Sequence, residues 1–131
     1  MEFKVGQTAS FAKTISESDV YQFAGICGDF NPVHVNSVEA EKSIFGKQVV
    51  HGMLGASLIS TVLGTKLPGP GTIYMKQSLS FRAPVYFGDT ICATVKIKEL
   101  LPKGKAVLNT LVENQEGNVV IEGEAVVKLP R

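Results

Sequence analysis

HGMLGASLISTVLG, from His51 to Gly64, is the most apolar stretch of the chain, and its apolar side chains surround the whole helical circumference instead of forming one stripe. Such a pattern predicts a helix buried on all sides. It falls short of the ~20 apolar residues that a bilayer-spanning helix needs. Gly52, Gly55, Ala56 and Ser57 make its beginning small, so that a backbone, a sheet or a ligand can approach that end closely.

Downstream, the turn-forming LPGPG leads into alternating segments. Ile73, Met75, Gln77, Leu79 and Phe81 alternate with Tyr74, Lys76, Ser78 and Ser80 along one predicted strand. A second strand places Ile91, Ala93, Val95 and Ile97 on one face and Thr94, Lys96 and Lys98 on the other. A turn at Pro102 to Gly104 precedes a strand from Lys105 to about Glu113, and NQEGN turns the chain into a strand from Val119 to Leu129. Short links between successive alternating strands call for an antiparallel meander. The expected fold class is therefore α+β, with an antiparallel β-sheet wrapped around a long buried central helix.

Upstream, a strand is expected from Val5 to Thr14, and Ser16 opens a helix as its N-cap with Asp19 completing a capping box. Val20, Phe23, Ala24 and Cys27 follow the spacing of one buried helix face, and Gly28 ends the helix. GDFNPVHVN, Gly28 to Asn36, is dense in turn formers and reads as a loop, after which Ser37 caps a short helical turn.

With 131 residues and 44% hydrophobic content, the chain fits one domain, residues 1–131, with one core. Its 13 Lys and Arg are scattered and nearly balanced by 12 Asp and Glu, which argues against a nucleic-acid surface. MEFKVGQ lacks the charged-then-apolar pattern of a signal peptide, and the expectation is a cytoplasmic protein without a membrane span. The two cysteines, Cys27 and Cys92, are far apart and lack CxxC spacing, which indicates neither a zinc site nor a disulfide; both read as small buried hydrophobes.

The chemistry concentrates around the two histidines, His34 and His51. Asp29 lies in the same turn-rich loop as His34, where Pro32 restricts the backbone and Asn31 can hold the loop by side-chain hydrogen bonds. A carboxylate and an imidazole, with ordinary pKa values of about 3.9 and about 6.5, can hold a water between them and exchange protons with it near neutrality. Addition of water to an activated alkene needs that exchange at C3 and C2, and it also needs a partner for the charge that develops on the thioester oxygen. Gly52, in the first turn of the apolar helix, offers a backbone N–H without an intrahelical partner at the positive end of the helix dipole. Packing beneath a strand is the other role such a glycine takes.

These segments resemble the MaoC-like, R-specific enoyl-CoA hydratases, also called hydratase 2. The resemblance is carried by GDFNPVHVN (Gly28 to Asn36), HGMLGASLIS (His51 to Ser60), LPGPGTIYMKQSLSFRAPV (Leu67 to Val85), Gly88 with Asp89, and GEAVVKLP (Gly123 to Pro130). It implies a hotdog fold, a homodimer, and reversible hydration of trans-2-enoyl-CoA, with Asp29 and His34 as catalytic pair and Gly52 as oxyanion-hole donor. It further implies Ser60 as a supporting residue near the active site and Asn31 as an architectural one, with His51 holding structure. Coenzyme A would be part of the substrate, and no separate cofactor or metal is expected. Arg82 and Lys76 are candidate phosphate partners, while Leu63 and the strand around Val126 are candidates for the acyl pocket.

Four rival readings differ in what they require. A hotdog acyl-CoA thioesterase commonly depends on an acid in or beside the central helix, and His51 to Gly64 contains none. The fatty-acid-synthesis dehydratases of the same fold place a Glu there, also absent. Carriage of the substrate on acyl-carrier protein instead of coenzyme A leaves no mark in the sequence. A non-enzymatic acyl-CoA sensor would need no Asp29 and His34 pair.

Overall fold

The computed structural model describes residues 2–131. In chain order the elements are β1 (Thr8–Thr14), α1 (Glu17–Cys27), α2 (Pro32–Val35), α3 (Ser37–Glu41), α4 (Gly52–Thr65), β2 (Ile73–Gln77), β3 (Ser80–Phe81), β4 (Thr90–Leu101), β5 (Lys105–Glu113) and β6 (Val119–Lys128). The sheet is antiparallel in the order β1-β4-β5-β6-β2, and β3 also pairs with β6.

The predicted alternation of the later strands is realised as the inner face of this sheet. Ile91, Ala93, Val95 and Ile97 of β4, with Ala106, Leu108 and Val112 of β5 and Ala125 and Val127 of β6, are all fully buried. Against them lies α4, through Ala56, Leu58, Ile59, Val62 and Leu63. Burial of each large aliphatic side chain stabilises the fold by roughly 1.5–3 kcal/mol, so this helix–sheet seam carries the core. The central strands form the expected meander, but β1 and β2 return to the outer sides of β4 and β6, which makes the sheet wrap the helix.

Three expectations need correction. α4 is not buried all round: Met53, Ser57, Ser60 and Gly64 form an exposed stripe at intervals of three and four residues. Hydropathy alone missed this because three of the four are small, and small residues are neutral to exposure. The single strand predicted from Ile73 to Phe81 is broken at Ser78 and Leu79 into β2 and β3. The physical cause lies on β6, where Gly123 passes so close beneath the Ser78 carbonyl that a Cβ there would lie 1.8 Å from Ser78 O. Finally, Cys27 is exposed and Cys92 half-buried, because Cys27 ends α1 and faces a cavity instead of the core.

The N-terminal segment follows its sequence signals. Ser16 Oγ accepts the Asp19 N–H at 3.0 Å and Asp19 Oδ2 accepts the Ser16 N–H at 2.9 Å, the reciprocal capping box. Gly28 then closes α1 at φ 80°, a left-handed conformation that glycine adopts without steric cost, and its N–H bonds Ala24 O at 2.8 Å.

Candidate active site

The segment after Gly28 is built by short-range side-chain hydrogen bonds. Asp29 Oδ1 accepts the Asn31 N–H at 3.1 Å, and Asn31 Oδ1 accepts the Val33 N–H at 3.2 Å. Asn31 thereby caps α2, with Pro32 at the first helical position, where its missing N–H costs nothing. By its turn formers this stretch reads as loop throughout; the cap and the proline convert its middle into one helical turn. That turn carries His34.

His34 is fixed from its other side by the chain leading into α4. Its Nδ1 lies 2.7 Å from Val49 O, a carbonyl that can only accept, so Nδ1 carries the proton. In the neutral ring Nε2 then holds the lone pair and is the position able to take up a proton. The Val49 N–H in turn donates to Val33 O at 3.0 Å, and Gln48 Nε2 donates to His34 O at 2.8 Å. The two segments are stitched along their backbones.

His51 is buried and stacks on His34, with ring centroids 3.8 Å apart and planes 24° apart. Its Nε2–H donates to the backbone carbonyl of Asp29 at 2.9 Å. A carboxylate oxygen of Asp29 and ring nitrogens of His34 and His51 lie within 4.8 Å of one another. One water, with hydrogen bonds of about 2.8 Å to each side, spans such a gap. As a metal site the set fits poorly, because lone pairs in stacked, nearly parallel rings run side by side and do not converge on one ion.

Next in sequence, Gly52 opens α4. Among the described residues no acceptor pairs with its N–H, as expected of the first turn of a helix. Its Cα side is covered by Phe81, since a Cβ on Gly52 would meet Phe81 Cε1 at 2.7 Å. Asp29, Asn31, His34, His51 and Gly52 all line one cavity of about 760 Å3, whose walls include Phe23, Phe45, Val85 and Phe81. Asp29 is the one carboxylate in that lining.

The remaining sequence candidates are placed differently. Arg82 reaches the cavity, and its Nε and a terminal nitrogen donate to Glu122 Oε1 at 3.2 and 2.7 Å in an exposed ion pair. Ser60, Leu63 and Val126 are outside the cavity lining. Ser60 lies on the exposed stripe of α4, Leu63 is packed in the core, and Val126 projects from the face of β6 opposite Ala125 and Val127. Phe81 and Phe23 went unremarked as site residues in the sequence. Their signal is weak, an aromatic closing a predicted strand and one residue of an ordinary amphipathic helix.

A helix cradled by an antiparallel sheet, with a carboxylate, an imidazole and an unpaired helix-terminal N–H around one cavity, defines a hotdog domain equipped for acid–base chemistry. Comparison with known proteins gives the family. The sequence profile described as "MaoC like domain" matches residues 2–122. The chain is 54% identical over 129 residues to the (R)-specific enoyl-CoA hydratase of Rhodospirillum rubrum, covering 98% of this chain and 90% of that one. It is 44% identical to the 3-hydroxybutyryl-CoA dehydratase of Methylorubrum extorquens, covering 99% and 83%. Among solved structures, the (R)-hydratase from A. caviae superposes with a TM-score of 0.94 at 44% identity, covering 98% of both chains. The chain belongs to the MaoC-like family.

Proposed function

We propose that this protein catalyses the reversible, R-specific addition of water to trans-2-enoyl-CoA, a hydro-lyase reaction. The observation that carries the reading is the single cavity onto which Asp29, His34 and the unpaired Gly52 N–H all open. Water held between Asp29 and His34 attacks C3 as one of the pair takes its proton. Electrons move through C2 to the thioester oxygen, which accepts the Gly52 N–H at the positive end of α4. A proton from the pair then reaches C2, which restores the thioester and leaves the catalyst unchanged. Because His34 Nδ1–H is committed to Val49 O, proton traffic at that ring is confined to Nε2.

The nearest rival, thioester hydrolysis, needs a carboxylate aimed at the carbonyl carbon beside the start of α4. That helix has no acid, and the cavity's carboxylate sits on the preceding turn. Incubation with a short enoyl-CoA should therefore remove the conjugated enoyl-thioester absorbance without releasing free thiol. Asp29→Ala and His34→Ala should each lower turnover by at least ~100-fold. Thiol release keeping pace with loss of absorbance, or an S product on chiral analysis, refutes the reading. Replacing coenzyme A by acyl-carrier protein as carrier, with kcat/KM compared, decides between the two thioester classes.

The working form in this reading is a homodimer. The exposed α4 stripe and the edge strand β2, whose Ile73, Tyr74 and Met75 are all exposed, leave apolar surface and unpaired strand that a second copy would cover. Ser60 falls on that stripe, so its supporting role would be exercised at or near the interface. No helix among the described residues is long and apolar enough to cross a membrane, and we place the enzyme in the cytoplasm, with neither metal nor separate cofactor.

A further inference from the structure

We infer that His51 is a positioning residue for this reaction, holding Asp29 and His34 at a fixed distance from the Gly52 N–H. The inference rests on the hydratase reading. Its geometric basis is that one residue joins all three parts. The His51 Nε2–H holds the Asp29 carbonyl at 2.9 Å, the ring lies flat on His34 with centroids 3.8 Å apart, and the His51 backbone leads directly into Gly52.

The imidazole is not needed to start the helix. His51 occupies the N-cap position of α4, yet its side chain makes no capping hydrogen bond; the Leu54 and Gly55 N–H groups go to its backbone carbonyl, at 3.0 and 3.2 Å. Nor is the imidazole the obvious filler for its site. The residue is 3% exposed, Phe23 packs edge-on to the ring with centroids 5.0 Å apart, and Nδ1 is buried without a hydrogen-bond partner among the described residues. A buried polar atom left unpaired carries a desolvation cost, and an apolar ring of similar size would fill the site without it. What only a donor at this position supplies is the hydrogen bond to the Asp29 carbonyl. That bond ties the backbone of the α1–α2 turn to the start of α4, and so sets the carboxylate relative to the oxyanion donor. His34 is fixed at its Nδ1 edge by Val49 O and on its face by His51, leaving its ring little freedom to tilt.

Two variants separate this role from packing. His51→Phe keeps a buried ring against His34 and removes the donor, whereas His51→Gln keeps a donor of similar reach and removes the ring. Misplacement of catalytic groups by about an ångström costs up to ~100-fold, so H51F should lower kcat roughly 10- to 100-fold. Its KM for a short enoyl-CoA and its melting temperature should stay close to wild type, and H51Q should recover most of the lost kcat. Amide hydrogen exchange across residues 28–35 should rise in H51F and not in H51Q. This second readout is independent of turnover. If the wild type does not hydrate enoyl-CoA but the exchange pattern holds, the hydratase reading fails while the hold of His51 on the Asp29 turn stands. Near-normal kcat in H51F, equal losses in both variants, or exchange unchanged in H51F overturns the inference. If H51F does not fold, His51→Leu replaces it against H51Q with the same outcomes.

Discussion

Replacing Gly123 by alanine tests the feature that breaks the predicted β2–β3 strand in two and so shapes one wall of the cavity. An added Cβ would lie 1.8 Å from Ser78 O, 2.7 Å from Ser78 C and 3.3 Å from Gln77 Nε2. A carbon and a carbonyl oxygen approach comfortably at about 3.3 Å, so the Ser78 carbonyl must retreat by roughly 1.5 Å. It is held where it is by the Ser78 N–H on Glu124 O at 2.9 Å and by the Glu124 N–H on Ser78 Oγ at 3.0 Å. Losing both hydrogen bonds costs about 2 kcal/mol, and the overpacking itself adds about 1–3 kcal/mol. The expected destabilisation is therefore roughly 3–5 kcal/mol, a large part of the ~5–15 kcal/mol that holds an ordinary domain together. Urea denaturation followed by circular dichroism measures it, and at a slope of ~2 kcal/mol per molar the midpoint should fall by about 2 M. Gly25→Ala is the control. Gly25 lies exposed inside α1 with nothing within 4 Å of a Cβ, so that variant should be as stable as wild type or gain up to ~1 kcal/mol from helix propensity. A Gly123→Ala variant within about 1 kcal/mol of wild type would refute the claim that this close approach is fixed by its neighbours.

Three further outcomes concern the α1 cap, acid stability and assembly. Ser16→Ala should cost about 1 kcal/mol through loss of the α1 cap, measured by the same denaturation. The Ser16 N–H, and after it Lys13, hold the Asp19 carboxyl below its ordinary value. A depressed folded-state value contributes stability above the unfolded carboxylate pKa of about 3.9, and that contribution is lost as pH falls through the lower folded value. The stability advantage of wild type over Asp19→Asn should accordingly shrink in acid and be constant at neutrality. For assembly, wild type at micromolar concentration should scatter light as a dimer, and Ser57→Glu, which puts a charge on the exposed α4 stripe, should shift it toward monomer. A monomeric wild type contradicts the homodimer.

Elements whose determinants lie close in sequence were legible. The capping box at Ser16 and Asp19, the left-handed glycine at 28 and the alternation of Ile91, Ala93, Val95 and Ile97 each depend on neighbours a few residues away, and each appears where its pattern puts it. Asp29 and His34 were legible as one loop for the same reason, although not the turn of helix that Asn31 and Pro32 make between them. The strand break at Ser78 is caused by a glycine far along the chain, and a period-two pattern carries no information about that contact. Likewise, the stacking of His51 on His34 depends on the return of residues 48–50 past α2, which no local periodicity encodes. The stripe on α4 escaped because hydropathy measures what a side chain tolerates, not what covers it.

The sheet order β1-β4-β5-β6-β2 has a consequence for how the chain is made. Every strand that covers α4 from the C-terminal side is synthesised after it, and β1, the one strand made before it, pairs only with β4, Thr8 opposite Lys96 and Thr14 opposite Thr90. During translation α4 therefore emerges with only β1 available to pack on it, and β2 and β3 must then wait for β6. Loops of this length make closure slow and leave apolar surface open to other chains meanwhile. Closure of the whole sheet is consequently deferred until β6 has been made. A nascent chain halted before Thr90 presents α4 as a binding segment for chaperones, and overexpression that outruns them favours aggregation through this helix.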